Sequence, residues 1–363
     1  MGFRCGIVGL PNAGKSTIFN ALTAAGAEVA GYPFCTIEPN VGIVPVPDAR
    51  LDTLARLIKP KKVTPTTLEF FDIAGLVKGA SRGEGLGNQF LAHIRNVDAV
   101  AHVVRCFADD DIAHTYGSLD PLRDIEIVNT ELILADLELV DRRLEKLGRL
   151  LRLGEKGTEE ESRLLAGIKR ALEKGQRAEA MIKAAGKTLP ADLKLLTATP
   201  TFYVANVDDP GAEEGNHYVR DLRELAQGEG MQVVVIAGKL EAEIAQLNGG
   251  EQEEFRQELG LKDSGLQRLI QVGYDILDLV TFFTTVSQDL RAWTVPQGTS
   301  ALQAAGRIHS DMERGFIKAE VISYDDFTGS GSEHAAKEKG LLKVEGKDYV
   351  VQDGDIIHFR FNV

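Results

Sequence analysis

The octapeptide GLPNAGKS, residues 9–16, is the feature that most constrains the fold of this chain. It matches the pattern G-x-x-x-x-G-K-[ST] and stands between a short apolar stretch, residues 3–8, and a helical pattern. Such a turn points backbone N–H groups at an anion, and the helix N-terminus adds partial positive charge. Lys15 is therefore predicted to reach the β- and γ-phosphates of a nucleoside triphosphate, and the Ser16 hydroxyl to bind Mg²⁺.

The loop and the first turn of its helix supply the predicted phosphate contacts. All four fixed positions of the motif are present, which favours a phosphate-binding loop over a glycine-rich turn with a chance lysine. The predicted contacts are Asn12, Ala13, Gly14, Lys15, Ser16 and Thr17.

Length and composition narrow the class of protein. A chain of 363 residues has room for two or three domains. Its net charge of −13 argues against strong, indiscriminate nucleic-acid binding, and we expect no sequence-specific DNA binding. With no apolar run of membrane-spanning length and three widely spaced cysteines, we expect a cytoplasmic protein without a membrane partner. One local basic cluster is interpreted as the solvated end of a helix: Arg56, Lys59, Lys61 and Lys62.

Two downstream motifs match the switch regions of phosphate-loop enzymes. Thr36 lies in a loop broken by prolines, where such enzymes place a threonine over Mg²⁺ and the γ-phosphate; an ordinary turn threonine is an equal alternative. Asp72 ends an apolar strand and begins D-x-x-G, so it is predicted to hold Mg²⁺ through a water and Gly75 to offer its N–H to the γ-phosphate. The four glycines of residues 79–88 favour a second switch over a plain surface loop.

The remainder of the chain predicts an inserted helical arm and a separate C-terminal part. From residue 130, apolar residues recur at intervals of three and four, and after a break near Gly154 a second amphipathic stretch reaches residue 182. Together they predict an antiparallel helical hairpin that contacts a partner. Strands return at residues 201–205 and 232–236, and short strands beyond residue 281 predict a small mixed α+β domain.

Taken together, these motifs resemble the five nucleotide motifs of translation-factor-type GTPases. The segments LPNAGKST (10–17), YPFCT (32–36) and DIAGLVKGAS (72–81) are similar to the Obg-related branch. With the helical insertion and the ending at residues 291–363, the chain is identified as a member of the YchF (Obg-like ATPase) family.

The resemblance implies a fold and a domain division. The fold class is α/β: a P-loop NTPase (G-domain) sheet with an inserted antiparallel helical hairpin and a C-terminal TGS domain, which is a β-grasp module. The implied domains are residues 1–123 with 199–277 for nucleotide binding, 124–198 for the arm and 278–363 for the TGS domain. The resemblance also implies ATPase activity and a ribosome or another RNA-containing partner.

The loop that begins at Asn206 bears on the choice of base. GTPases usually carry N-K-x-D there, whereas Val207 replaces that lysine in this chain and Asp209 keeps the carboxylate. Adenine offers a donor at N6 and an acceptor at N1 to an asparagine amide. The residues alone leave ATP and GTP open, and the resemblance favours ATP. The predicted base contacts are Asn206, Val207, Ala237 and Gly238.

The position after D-x-x-G predicts slow hydrolysis. Ras-like enzymes place a glutamine there to orient the attacking water, but this chain has Leu76. His114 is a candidate to hold that water instead, against the alternative of a surface histidine. Asn12 is a candidate ligand for K⁺ between the phosphates, against the equal alternative that it shapes the loop.

Three functions follow from these features. The leading hypothesis is a Mg²⁺-dependent ATPase that switches between states read by a large partner. A GTPase of the same build is the second. The third is a nucleotide-gated scaffold with negligible turnover.

Overall fold

The computed structural model describes residues 3–29, 41–73, 86–153, 158–190, 192–208, 216–259, 264–286 and 288–362. Thr36, Gly75, Leu76 and Asp209, which the sequence singled out, lie outside these residues. The strands are β1 Phe3–Val8, β2 Val41–Pro45, β3 Lys62–Thr64, β4 Thr67–Asp72, β5 Ala99–Arg105, β6 Thr201–Asn206, β7 Val233–Ile236, β8 Leu279–Val286, β9 Asp289–Pro296, β10 Phe316–Ile322, β11 Lys343–Glu345 and β12 Ile356–Phe361.

The α-helices of the described residues are α1 Lys15–Val29, α2 Ala49–Ile58, α3 Leu86–Ile94, α4 Pro121–Arg152, α5 Thr158–Leu172, α6 Ala178–Ala185, α7 His217–Glu229, α8 Gly238–Ile244, α9 Gly249–Glu258, α10 Gly265–Asp275, α11 Ala301–Ile308, α12 Ser310–Arg314, α13 Tyr324–Ser330 and α14 Glu333–Glu338. None of them is long and apolar enough to cross a membrane.

The chain divides into two compact units. The first contains Met1–Val44 and Glu69–Gly273, and the second contains Pro45–Leu68 and Tyr274–Val363. The sequence-based division differs at residues 45–68, which it places with the nucleotide-binding domain. The physical reason is long-range pairing, because β3 adds to the second unit's sheet beside β9, with Lys62 opposite Asp289. In addition, Arg50 of α2 forms a 2.6 Å ion pair with Asp353.

The first unit is built on a six-stranded sheet in the order β2-β4-β1-β5-β6-β7. Strands β1, β5, β6 and β7 pair in parallel. Every residue of β5 and β6 is buried, as expected for central parallel strands covered on both faces. The loops after the carboxyl ends of parallel strands meet at one edge of a sheet, and in open α/β sheets ligands bind there.

The helical arm is formed by α4, α5 and α6. Its α4 begins at Pro121, capped by the Asp120 carboxylate, and the first turns of this helix still pack on the sheet through Val128. Farther along, α4 and α5 share an apolar cluster that includes Leu147 and Ile168. The predicted second arm helix is two helices, because Gly175 adopts a left-handed backbone (φ 75°) between α5 and α6.

The second unit contains a mixed six-stranded sheet in the order β11-β10-β12-β8-β9-β3. One face carries α11, whose Ala301, Ala304 and Ala305 pack against strand residues such as Phe282. The other face carries α2 and α13 over Phe283. This unit therefore has a hydrophobic layer on each side of its sheet.

Candidate functional site

The phosphate loop lies between β1 and α1, as the sequence predicts. Asn12 and Gly14 adopt left-handed backbone conformations, with φ of 64° and 95°. A Cβ at Gly14 would lie 2.1 Å from Asn206 Nδ2, so only glycine fits the close approach of these two loops. The first helical turn begins where the N–H of Ile18 donates to the Gly14 carbonyl.

Lys15 lies inside the loop rather than on the surface. Its side chain is 7% exposed, and Nζ donates a 2.9 Å hydrogen bond to the Leu10 carbonyl. Burial lowers the pKa of this amine, and the nearby Asp72 carboxylate opposes that shift. The ammonium group is thus held at the centre of the loop, where phosphate oxygens can replace the Leu10 carbonyl as its hydrogen-bond acceptors.

Ser16 and Asp72 meet at the start of α1. The Ser16 hydroxyl donates a 2.8 Å hydrogen bond to Asp72 Oδ2. The other carboxylate oxygen, Oδ1, is buried and receives no hydrogen bond from the described residues. A hydroxyl and a carboxylate are hard oxygen donors that suit Mg²⁺ when phosphate oxygens complete its coordination, and one oxygen of this carboxylate is still without a partner among the described residues. The residues present therefore fit the metal.

Asn206 joins three loops of the site. Its Nδ2 donates to the Ala13 carbonyl, and its Oδ1 accepts from the Gly238 N–H, both at 3.0 Å. The Asn206 amide retains one N–H and one lone pair for a further ligand. Gly238 begins α8, and Ala237 is its N-cap residue.

Val207 directly follows Asn206, the last residue of β6. Its side chain is 2% exposed and packs in the cluster that contains Val219 and Leu222. The contact of Val207 with the base stays a prediction, and in this conformation its side chain is buried among aliphatic residues. The consequence of this valine is that the lysine usual in GTPases is missing at this position.

His114 is anchored by both ring nitrogens. The Tyr116 N–H donates to Nδ1 at 3.1 Å, so Nε2 carries the proton and donates to Asp124 Oδ2 at 2.9 Å. No ring lone pair is left to accept a proton from water in this arrangement, so the catalytic role of His114 stays a prediction. His114 instead ties its loop to the first turn of α4, where Asp124 lies.

A residue that sequence reasoning missed organises the same loop. Arg105 is buried at the end of β5, and its guanidinium donates to the carbonyls of Phe107, Asp109 and Ile112 at 3.0–3.1 Å. The signal was an arginine at the end of a strand whose other residues, apart from His102, are apolar. The loop reaches the phosphate site because Asn12 Nδ2 donates to the carbonyl of Ala113, 3.0 Å away.

Two protein-family models match this chain. A family model described as "50S ribosome-binding GTPase" matches residues 4–136. A second model, YchF-GTPase_C, described as "Protein of unknown function (DUF933)", matches residues 279–362. These two models cover the phosphate-binding end and the second sheet.

Several relatives match this chain over its full length. The "Ribosome-binding ATPase YchF" of Bacillus subtilis is 52% identical over 366 residues, and that of Escherichia coli O157:H7 is 52% identical over 372; each match covers all of both chains. The solved structure of the Schizosaccharomyces pombe YchF GTPase is 36% identical, covers 99% of this chain and 98% of its own, and superposes with a TM-score of 0.88. The predicted family and fold class are confirmed, and the chain belongs to the YchF family.

Proposed function

We propose that this protein is a Mg²⁺-dependent ATPase that acts as a molecular switch on the ribosome. The observation that carries the proposal is that Lys15 and Ser16, at the start of α1, lie beside Asp72, at the end of β4, where one buried carboxylate oxygen has no hydrogen-bond partner among the described residues. A buried oxygen without a partner is costly unless a ligand satisfies it.

The phosphate end of the site follows from these residues. Ser16 would hold Mg²⁺ directly and Asp72 would hold it through a water, and the metal would supply positive charge against the phosphates. Lys15 supplies a second positive charge from inside the loop. Thr36 and Gly75 complete the proposal as a metal ligand and a γ-phosphate donor, on the strength of their sequence motifs.

ATP is the proposed nucleotide. Asn206 presents the remaining donor and acceptor of its amide near the start of α8, a pair that complements the N1 and N6 groups of adenine. The missing lysine at residue 207 removes one of the usual supports of a guanine base. The curated relatives in Bacillus subtilis and Escherichia coli O157:H7 are named ATPases.

Hydrolysis is proposed to be slow and to depend on groups that replace the usual glutamine. His114 acts on the water only after its ring leaves Asp124. K⁺ is the second replacement, with the Asn12 carbonyl as its ligand. Both roles are proposed because Leu76 stands where Ras-like enzymes have a glutamine, and a leucine side chain cannot orient the attacking water.

The proposed partner is the ribosome. The same two relatives are named ribosome-binding, and the S. pombe structure shares the whole fold of this chain. We assign the second unit's sheet to a TGS module of β-grasp type and the helical arm to partner contact. A ribosomal partner implies a cytoplasmic location.

Nucleotide titration with a turnover assay tests the proposal. ATP is expected to bind in the presence of Mg²⁺ at least as tightly as GTP, and phosphate release is expected to exceed one equivalent per protein. Lys15→Ala and Ser16→Ala should abolish binding or turnover, whereas Lys174→Ala, a change of an exposed lysine in the arm, should change neither.

The outcomes separate the three functions. Tighter binding of GTP would favour the GTPase, and binding without repeated turnover, with and without ribosomes, would favour the scaffold. Undiminished Mg²⁺-dependent turnover in Lys15→Ala would contradict the site itself.

A further inference from the structure

A buried glutamate lies one turn into α8, whose first residue, Gly238, is a predicted base contact. Glu241 is 5% exposed, and a glutamate is rarely buried to this extent unless its carboxylate has partners. The carboxylate accepts hydrogen bonds from the Ser264 hydroxyl, at 3.0 Å, and from the Gly265 N–H. Ser264 immediately precedes α10 and Gly265 is its first residue, so the carboxylate joins the first turn of α8 to the start of a second helix.

The start of α10 is itself tied to the sheet of the first unit. The N–H of Leu266 donates to Ser264 Oγ at 3.2 Å, so this serine caps the helix while its hydroxyl proton is donated to Glu241. One turn further on, the Arg268 guanidinium donates to the Val235 carbonyl of β7 at 3.1 Å. α10 is therefore fixed to β7, and Glu241 fixes α8 to α10.

α8 depends on such support because it is short and begins without a side-chain cap. It has seven residues, about two turns, and a helix of that length is not stable by itself in water. Its N-cap residue, Ala237, makes no side-chain hydrogen bond to the first turn. The start of α8 is held instead by the bond from the Gly238 N–H to Asn206 Oδ1 and, one turn later, by Glu241.

We infer that Glu241 is a positioning residue for the nucleotide base, an inference that rests on the proposed nucleotide function. The two hydrogen bonds of its carboxylate fix the direction in which α8 begins, and that direction sets where the Gly238 N–H meets Asn206. Asn206 also donates to the Ala13 carbonyl, so a displaced α8 would release one of the two bonds that orient this amide. The amide would then present its remaining donor and acceptor to the base in a less defined direction.

A purely structural role is the alternative for this carboxylate. Negative charge at the N-terminus of α10 stabilises that helix whether or not a nucleotide is bound. The two roles differ in what the loss of Glu241 does to ligands. A base-positioning residue affects the binding of the base and leaves the phosphate end, with Lys15 and Ser16, unchanged, whereas a purely structural residue makes no distinction between the two ends of the nucleotide.

Titration calorimetry of the full-length protein with ATP and with inorganic triphosphate, both in Mg²⁺, separates the base from the phosphates. Glu241→Ala should weaken ATP binding at least about fivefold, the equivalent of one lost hydrogen bond, because the Asn206 amide is no longer held. Its affinity for inorganic triphosphate should equal that of the wild type. Steady-state turnover should show a higher KM for ATP with kcat unchanged, since the base is bound equally in the ground state and the transition state.

Three further variants complete the experiment. Glu243→Ala removes an exposed glutamate of the same helix and should behave as the wild type does. Glu241→Gln keeps an acceptor for the Gly265 N–H and offers a donor to the Ser264 hydroxyl oxygen, so it should recover most of the ATP affinity. Ser264→Ala removes only the hydroxyl bond. It is the milder change should Glu241→Ala fail to fold, and it should show the same contrast between ATP and inorganic triphosphate.

Three results would overturn the inference: equal ATP affinities for Glu241→Ala and Glu243→Ala, equal weakening of ATP and inorganic triphosphate, or a Glu241→Gln variant that binds ATP no better than Glu241→Ala. Failure of the proposed function looks different. A wild type that binds no nucleotide would contradict that function, and this inference with it, before any variant is compared. A wild type that binds ATP, with Glu241→Ala binding it equally well, would contradict the inference alone.

Discussion

Nε2 of His114 lies 2.9 Å from Oδ2 of Asp124, and both side chains are at most 10% exposed. Burial raises the pKa of the Asp124 carboxyl, and the bond from His114 lowers it again. The second oxygen of this carboxylate is buried and receives no hydrogen bond from the described part of the chain. The histidine is therefore the main stabilising partner of an otherwise poorly satisfied acid, and removing it has a structural consequence as well as a chemical one.

We predict that His114→Ala lowers kcat, leaves ATP affinity nearly unchanged and reduces the free energy of unfolding by about 1–3 kcal/mol. The stability loss follows from the lost hydrogen bond to the buried Asp124 carboxylate, which keeps only its 3.8 Å contact with Arg123 among the contacts described. The kcat loss follows from the proposed role with water. Asp124→Asn separates the two, since an amide oxygen still accepts the Nε2 proton but holds the ring less strongly. Turnover that is unchanged in His114→Ala would leave this residue with its structural role alone.

The base preference gives a second prediction. ATP should bind at least as tightly as GTP to the wild type, and Val207→Lys should shift the ratio of the two dissociation constants toward GTP. Because Val207 is 2% exposed, the lysine has to leave the apolar cluster, and the free energy of unfolding should fall by about 1–3 kcal/mol. Isothermal titration with both nucleotides and chemical denaturation measure these effects. An unchanged ratio in a folded variant would show that residue 207 does not select the base.

Local patterns predicted the phosphate loop, the strand ending at Asp72 and the helical arm, because each depends on residues close together in sequence. Residues 45–68 belong to the second unit by their contacts and not to the first, as the sequence-based division has it, because the pairing of Lys62 with Asp289 joins segments far apart in the chain. The hydrogen bonds of His114 and Arg105 could not be predicted from the sequence either, because they depend on how one loop folds back. An isolated cation at the end of β5 was visible, but its three carbonyl partners were not.

His102 predicts how stability changes with pH. Burial in β5 lowers the pKa of this imidazole from 6.5 to about 3, with smaller contributions from the charges of Arg177 and Lys15. The imidazole of His102 therefore becomes protonated near pH 6.5 in the unfolded chain but stays neutral at that pH in the folded chain. Stability from this group is fully present above pH 6.5 and is lost as the pH falls toward 3, by about 1.4 kcal/mol per pH unit.

Denaturant unfolding at pH 7 and pH 5 tests this linkage. Between these values, the wild type should lose about 2 kcal/mol more stability than His102→Gln, in which the titrating group is gone. The comparison concerns the change with pH, so a uniform packing cost of the substitution does not affect it. His334→Gln, at an exposed histidine, should behave as the wild type does. Identical pH dependence in His102→Gln would mean that another group carries the acid sensitivity.

The orientation of Asn12 leads to the last prediction. Its Nδ2 donates to the Ala113 carbonyl at 3.0 Å, which fixes the amide plane at the tip of the phosphate loop. With the donor end engaged, the carbonyl end of the amide is the one offered to a cation, and an amide oxygen is a suitable ligand for K⁺. A positive charge beside the phosphates stabilises the transition state as an arginine finger does elsewhere.

ATPase rates in KCl and NaCl at matched ionic strength measure this effect. The wild type should hydrolyse ATP at least about tenfold faster in KCl. Asn12→Ala should lose most of that difference while retaining the slower rate in NaCl, because the phosphate loop keeps Lys15 and Ser16. Asn20→Ala is the control, since Asn20 is an exposed asparagine of α1, and it should keep the full K⁺ stimulation. Equal wild-type rates in the two salts would remove K⁺ from the mechanism and leave Asn12 as a residue that joins the phosphate loop to the loop before His114.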